Sequence, residues 1–257
     1  MNDPTPFLPE PTVWYIIRQV ATGLNRMHTL KLVHMDIKPE NILITEDGVL
    51  KLGDLGMARP VDTNEDGLEG DARYIAPELL NSPIKTRQLD LFSLGVMIWE
   101  LAAGRNPPKE GDLWRAFRDG HAPDPSTYVR TRSKELCTLV KQLMSPRPRH
   151  RKLAEEILAM TQVQNAKHDT FIVDVIRRSR QDSSKRRRTE RPMSSSTSSR
   201  SFQHISSLNG DGLSIRVPSF DAFSASTLRD GMSTPTDQTF SHDYANVPTF
   251  GTPTNKK

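Results

Sequence analysis

The sequence predicts a mainly α-helical domain, with short β-hairpins at a polar cleft, followed by a long tail that has no core. Three observations lead there. Val13, Ile16, Ile17, Val20, Leu24 and Met27 recur at spacings of three and four, which places them on one face of a helix. Leu89 to Leu101 is apolar on nearly every side and too short to cross a membrane, as in a buried central helix. Past Ser179 the chain turns basic and Ser-rich, as in Met193-Ser-Ser-Ser-Thr-Ser-Ser199. Such a composition buries too little apolar surface to offset chain entropy, so the tail is expected to be disordered. An apolar fraction of 35% over 257 residues is low for a wholly globular chain and agrees with that division.

Taken in order, residues 1 to 11 contain four prolines and read as extended. The first helix opens at Thr12, a good N-cap type, and ends near His28. Leu32-Val33 and Ile42-Leu-Ile44 are short apolar runs that read as strands around the polar stretch His34 to Asn41. Glu46-Asp-Gly48 suits a tight turn, and Val49 to Leu52 is the returning strand, with Asp54 at its end. Residues 57 to 73 are polar, with Gly67 and Gly70, and read as a mobile loop closed by Ala76-Pro-Glu78. Helices follow at 89–101, at 112–117 with Trp114 and Phe117 on one side, at 133–144, and last at 152–160. Phe171 to Ile176 either packs a further turn on the domain or frays. The organisation is a folded unit over 1–165 and a tail over 180–257, without internal repeats.

Charge and cysteine content narrow the function. Arg177 to Arg191 holds eight basic and two acidic residues, more than the whole net charge of +4, so the folded part is near neutral. A nucleic-acid enzyme spreads such charge over its folded surface, so no nucleic-acid partner is expected. No stretch is long enough for a transmembrane segment, and Met1 to Pro6 is no secretory signal. The one cysteine, Cys137, lies on an apolar helical face and reads as a buried small residue.

The chemistry is concentrated between His34 and Gly56. Asp36, Lys38 and Asn41 are followed, thirteen residues after Asn41, by Asp54-Leu-Gly56. A carboxylate, a cation, an amide and a second carboxylate meet the needs of phosphoryl transfer: a base, a phosphate clamp and two oxygen ligands for magnesium. This series resembles the catalytic loop and metal-binding motif of protein kinases. The resemblance implies ATP and Mg²⁺ as cofactors. It makes Asp36 the catalytic base, Lys38 catalytic and phosphate-binding, and Asn41 and Asp54 the metal and nucleotide ligands. It gives His34, Glu78, Asp90 and Arg151 supporting roles. Asp90 would hold the catalytic-loop backbone. Glu78 would pair with Arg151, whereas without the family Glu78 and Arg151 are simply two exposed charges. Leu55 stands where many kinases have Phe and is expected to keep a packing role.

Within the kinases, His34-Met-Asp-Ile-Lys-Pro39, Gly53-Asp-Leu-Gly56 and Glu69-Gly-Asp-Ala-Arg-Tyr-Ile-Ala-Pro-Glu78 resemble the Wee/Myt family, whose members inhibit cyclin-dependent kinases. That implies tyrosine, and threonine in some members, of a cyclin-dependent kinase as the acceptor. Met35 replaces the usual arginine that pairs with a loop phosphate, so the activation segment is expected to order without phosphorylation. No Gly-x-Gly-x-x-Gly occurs in the chain, and 11 residues before the first helix leave no room for the strand lysine. The expectation is a kinase-like C-lobe with the N-lobe absent. Such a chain either has little activity alone or serves as a docking module. Lys185-Arg-Arg-Arg188 reads either as a nuclear localisation signal or as a solvated charge run. The nucleus is preferred to the Golgi and endoplasmic-reticulum membrane.

Overall fold

The computed structural model describes residues 8–64, 70–178 and 215–216. It is mostly helical. Helix α1 (Glu10–Thr29) and helix α2 (Arg87–Ala103) cross in the core. Around them lie α3 (Gly111–Arg118), α4 (Lys134–Leu143), α5 (Ala154–Leu158), α6 (Thr161–Asn165) and α7 (residues 170–178). The strands are short: β1 (Leu32–Val33), β2 (Ile42–Ile44), β3 (Leu50–Leu52) and β4 (Arg59–Pro60).

Helix α1 begins two residues before Thr12. Pro9 is its N-cap, and Pro11 lies in the first turn. Proline is tolerated there because first-turn N–H groups have no helical acceptor. Thr12 is thus not a cap. Its hydroxyl donates instead to Asp169 Oδ2 at 2.8 Å, across almost the full length of the domain. Val13, Ile16, Ile17, Val20 and Leu24 are all buried, as the spacing implies.

Helix α2 is buried on every side from Leu89 to Ala103. It ends at Gly104, whose left-handed φ of 63° suits glycine. Trp99 packs edge-on against Phe117 of α3 at 4.7 Å between ring centres. Gly95 lets α4 approach, since a Cβ there would lie 2.8 Å from Leu143 Cβ. Helix α4 is capped by Ser133, whose Oγ accepts from Leu136 N at 3.2 Å, and it buries Leu136, Leu139, Val140 and Leu143. Cys137 is buried, and burial pushes its thiol up to about 11.

The β2–β3 hairpin turns at Gly48 (φ 83°), with Ile42 opposite Leu52 and Ile44 opposite Leu50. Three segments depart from expectation. The stretch 57–73 is partly regular: Arg59 and Pro60 pair with Val33 and Leu32, and Asn64 bridges to Ile84. Open backbone groups on β1 and near Lys85 supply those partners, and polarity alone did not reveal them. The segment 152–160 is not the last helix. Met160 is extended between α5 and α6, and α7 then packs Ile172 and Ile176 into the core. Of the tail, only 215–216 are described. These residues (β5, Ile215–Arg216) pair antiparallel with β2, Leu43 facing Arg216 and Ile44 facing Ile215. The outer edge of β2 offers unpaired backbone groups, and Ser214 to Val217 alternates as a strand does. The rest of the expected disordered tail lies outside the described residues.

Candidate active site

The polar stretch leaves β1 and enters a single 3₁₀ turn, Pro39–Asn41, before β2. The turn folds Asn41 back onto Asp36. Asn41 Nδ2 donates to the Asp36 carbonyl at 2.8 Å and to Asp36 Oδ2 at 2.7 Å. Lys38 Nζ lies 2.7 Å from the same Oδ2. Asp36 and Asn41 are buried, and Lys38 is partly exposed.

Two buried groups hold this loop. Asp90, at the start of α2, accepts from the backbone N–H of His34 at 2.8 Å and of Met35 at 2.9 Å. His28 Nε2 lies 2.9 Å from Asp90 Oδ2. Met35 is held at φ 70°, a left-handed backbone rare for a non-glycine residue. His34 is fully buried. Its Nδ1 accepts from Asp36 N at 3.3 Å, so the proton is on Nε2, which donates to the Gly53 carbonyl at 3.0 Å. Gly53 N in turn donates to the Asn41 carbonyl at 2.8 Å. The hairpin and the imidazole therefore bring Asp54 to the same end of the cleft as Asn41. Asp54 is exposed at φ 55° and accepts from Gly56 N at 3.4 Å.

Leu55 departs from expectation. It is 57% exposed rather than packed, on the short turn Leu55–Met57, none of whose residues is buried. Glu78 and Arg151 do meet, Arg151 Nη1 and Nη2 reaching the two carboxylate oxygens at 2.5 and 2.8 Å. The Arg151 side chain is fully buried, and Glu78 is one-fifth exposed.

A further network went unread in the sequence. Arg73 grips Asp71 through Nε at 3.0 Å to each oxygen and through Nη2 at 2.5 Å. Its Nη2 also reaches Glu40 Oε1, in the catalytic loop, at 3.2 Å. Burial works to raise the Asp71 pKa, but the Arg73 hydrogen bonds and charge outweigh it, and the carboxyl is held below its usual range. Tyr74 donates to Glu100 Oε2 at 2.5 Å, and burial beside that carboxylate raises the phenol pKa strongly. Asp71 and Tyr74 line one pocket with Met35 and Asp36. The signal was present in Asp71-Ala-Arg-Tyr74, but alternating charge in a loop reads as solvated.

A metal would find oxygen donors here. Both Asn41 amide hydrogens are directed to Asp36, which leaves the amide oxygen as ligand, and Asp54 supplies a carboxylate. No group of three His, Cys, Asp or Glu among the described residues forms a closed metal cage. Two hard oxygen ligands with room for phosphate and water suit magnesium rather than a structural ion. The residues therefore fit Mg²⁺ bound together with a nucleotide.

The fold, the loop and the supporting pairs define a protein kinase. The chain belongs to the protein kinase family, whose protein kinase domain matches residues 3–163. Among the curated proteins it resembles are several Wee-type kinases. It is 37% identical over 160 residues to the membrane-associated tyrosine- and threonine-specific cdc2-inhibitory kinase of Drosophila melanogaster, covering 61% of this chain and 30% of that protein. It is 37% identical over 177 residues to the mitosis inhibitor protein kinase wee1 of Schizosaccharomyces pombe, covering 61% and 20%. It is 46% identical over 110 residues to the mitosis inhibitor protein kinase mik1 of the same yeast, covering 42% and 19%. The match thus spans less than a third of the length of each of these relatives. Kinases of this family use ATP and Mg²⁺. Among the described residues no helix is long and apolar enough to cross a membrane.

Proposed function

We propose that this domain is the helical C-lobe of a Wee-type kinase. Its acceptor would be a tyrosine, with threonine as a second acceptor, on a cyclin-dependent kinase bound to cyclin, and the modification would inhibit entry into mitosis or meiosis. The arrangement of Asn41 and Lys38 on a single oxygen of Asp36 supports this most directly. Asp36 Oδ2 is occupied twice, while Oδ1 takes no hydrogen bond from the described residues and is left for an acceptor hydroxyl. Asp36 orients that hydroxyl and takes its proton as its oxygen bonds to the γ-phosphorus of ATP and the bond from that phosphorus to the ADP leaving group breaks. Lys38 moves from Asp36 to the transferred phosphoryl oxygens and offsets their charge. Asn41 and Asp54 would hold Mg²⁺, which supplies charge neutralisation on the nucleotide phosphates.

The phosphate lysine and glycine loop expected of a kinase are not found in these 257 residues. Losing even one transition-state donor lowers a rate by roughly a hundred- to a thousand-fold. In this reading the chain alone is therefore nearly inactive. The test is phosphotransfer from ATP to a cyclin-dependent kinase, measured for the chain alone and for the chain fused behind the glycine-loop lobe of a Wee-type kinase. Transfer is expected only from the fusion, and Asp36→Asn should abolish it. Transfer by the chain alone would overturn the inactivity, and indifference to Asp36→Asn would overturn the base.

A second reading, a docking module without catalysis, is favoured by the exposed Leu55 and the missing glycine loop. Stable capture of the cyclin-dependent kinase by an inactive fusion would select it. Nuclear residence completes the proposal. It rests on Lys185 to Arg188, outside the described residues, and fails if replacing those four residues by Ala leaves a fluorescent fusion in the nucleus.

A further inference from the structure

Arg118, on α3, is 3% exposed, and no carboxylate among the described residues pairs with it. Its Nη2 donates to the Ala72 carbonyl at 2.6 Å and the Arg73 carbonyl at 3.4 Å, and its Nη1 to the Trp114 carbonyl at 3.1 Å. Its Nε has no hydrogen-bond partner among the described residues. The guanidinium lies 3.6 Å from the Trp114 ring centre and 5.9 Å from that of Phe92. Trp114 Nε1 donates to the same Ala72 carbonyl at 2.8 Å. One backbone carbonyl thus receives two side-chain donors from one helix, one of them a cation. Burial without a counterion lowers the Arg118 pKa to about 10, so this cation is held at a cost.

That carbonyl is well placed to matter. Asp71, just before it, lines the pocket containing Asp36. Arg73, just after it, ties Asp71 to Glu40 of the catalytic loop. Tyr74 follows, fixed by Glu100 through its hydroxyl and by Ser93 Oγ through its carbonyl at 2.9 Å. Residues 71–74 thus supply two of the side chains, Asp71 and Tyr74, that line the pocket beside Asp36, where an acceptor hydroxyl would enter. A buried cation spent on two carbonyls of this stretch, with one of its own donors left unmade, is poor economy for stability alone.

We propose that Arg118, seated on Trp114, is a positioning residue that clamps the activation segment of this kinase domain in its acceptor-binding shape, taking the place of a loop phosphate. The clamp couples the outer face of α3, where Leu113 is 39% exposed, to the lip of the acceptor pocket. This deepens the kinase reading by naming what orders its acceptor side.

The test is amide hydrogen exchange on the full 257-residue chain, which requires no catalysis and so stands apart from the kinase reading. Arg118→Met keeps the apolar stem and removes the charge. It is expected to speed exchange at Arg73, Tyr74 and Ile75 at least about tenfold while α1 and α4 keep their protection. Arg118→Lys, which can still reach one carbonyl, should recover part of the effect. Trp114→Phe, at a half-buried site and so safe for folding, should give a smaller change at the same amides. In the active fusion, Arg118→Met should raise KM for the protein acceptor about tenfold and leave KM for ATP unchanged. Unchanged exchange at 73–75 overturns the clamp. So does equal loss of protection in α1 and α4, which would make Arg118 a general core residue.

Discussion

Asp90 holds Met35 in a left-handed backbone conformation by accepting its N–H at 2.9 Å, across 55 residues of sequence. The same carboxylate takes the His34 N–H, and His28 Nε2 stands against it. It is wholly buried. Asp90→Ala leaves several buried donors unmatched and is expected to destabilise the domain by about 3–5 kcal/mol in urea unfolding. It should also relax the backbone at Met35, seen as new exchange in the catalytic loop.

Glu78 and Arg151 are asymmetric partners, one fully buried and one partly wet. Glu78→Ala strands a buried guanidinium that still binds the Ser145 and Gln88 carbonyls. A loss of about 3–5 kcal/mol in chemical denaturation is expected. Glu78→Leu combined with Arg151→Met should recover a good part of it, since two apolar groups leave no uncompensated charge.

Gly95→Ala places a methyl against Leu143 Cβ at 2.8 Å and the Leu143 carbonyl carbon at 3.2 Å. Backbone cannot step aside as a side-chain tip can. The helices α2 and α4 must part, at about 1–3 kcal/mol, read as a lower melting temperature with the secondary structure retained.

The Asp71–Arg73 pair sets a pH response. The Asp71 carboxyl has a lower pKa folded than unfolded, so the pair contributes fully above the ordinary carboxylate range. The contribution fades as pH falls through the lowered folded value. Exchange protection at residues 71–75 should hold at pH 5 and weaken below the usual carboxylate range. Asp71→Asn should flatten that dependence.

Met35 cannot pair with a phosphate, and residues 71–74 are already held by Arg73, Arg118, Trp114 and Glu100. Phosphatase treatment of the active fusion is expected to leave its rate within about twofold, because the clamp carries no phosphate term. A loss of many-fold would remove this expectation.

Much of the scaffold was legible because it rests on local periodicity. All-round apolarity named α2, and the Asp-Gly turn named the β2–β3 hairpin. The α1 start was missed because the four prolines of residues 1–11 suggest extended chain up to Thr12, although the first turn of a helix accepts Pro11. The site was legible where spacing along one loop sets it, as for Asp36 and Asn41. It was not legible where distant elements meet. Nothing in Arg115 and Arg118 tells which is exposed and which is buried against the activation segment. The packing role expected of Leu55 failed for a related reason, since burial depends on what lies above a side chain.

The Thr12–Asp169 hydrogen bond closes a loop of 157 residues in sequence. During synthesis, α1 leaves the ribosome before the other described helices yet lacks this partner until they have followed. Its apolar face waits as well for α2, α5 and α6, all encoded later. Such late closure makes for slow, all-at-once folding and a long exposure of nascent apolar surface. A nascent chain halted before Asp169 should therefore remain a client of chaperones, while one released a few turns later folds.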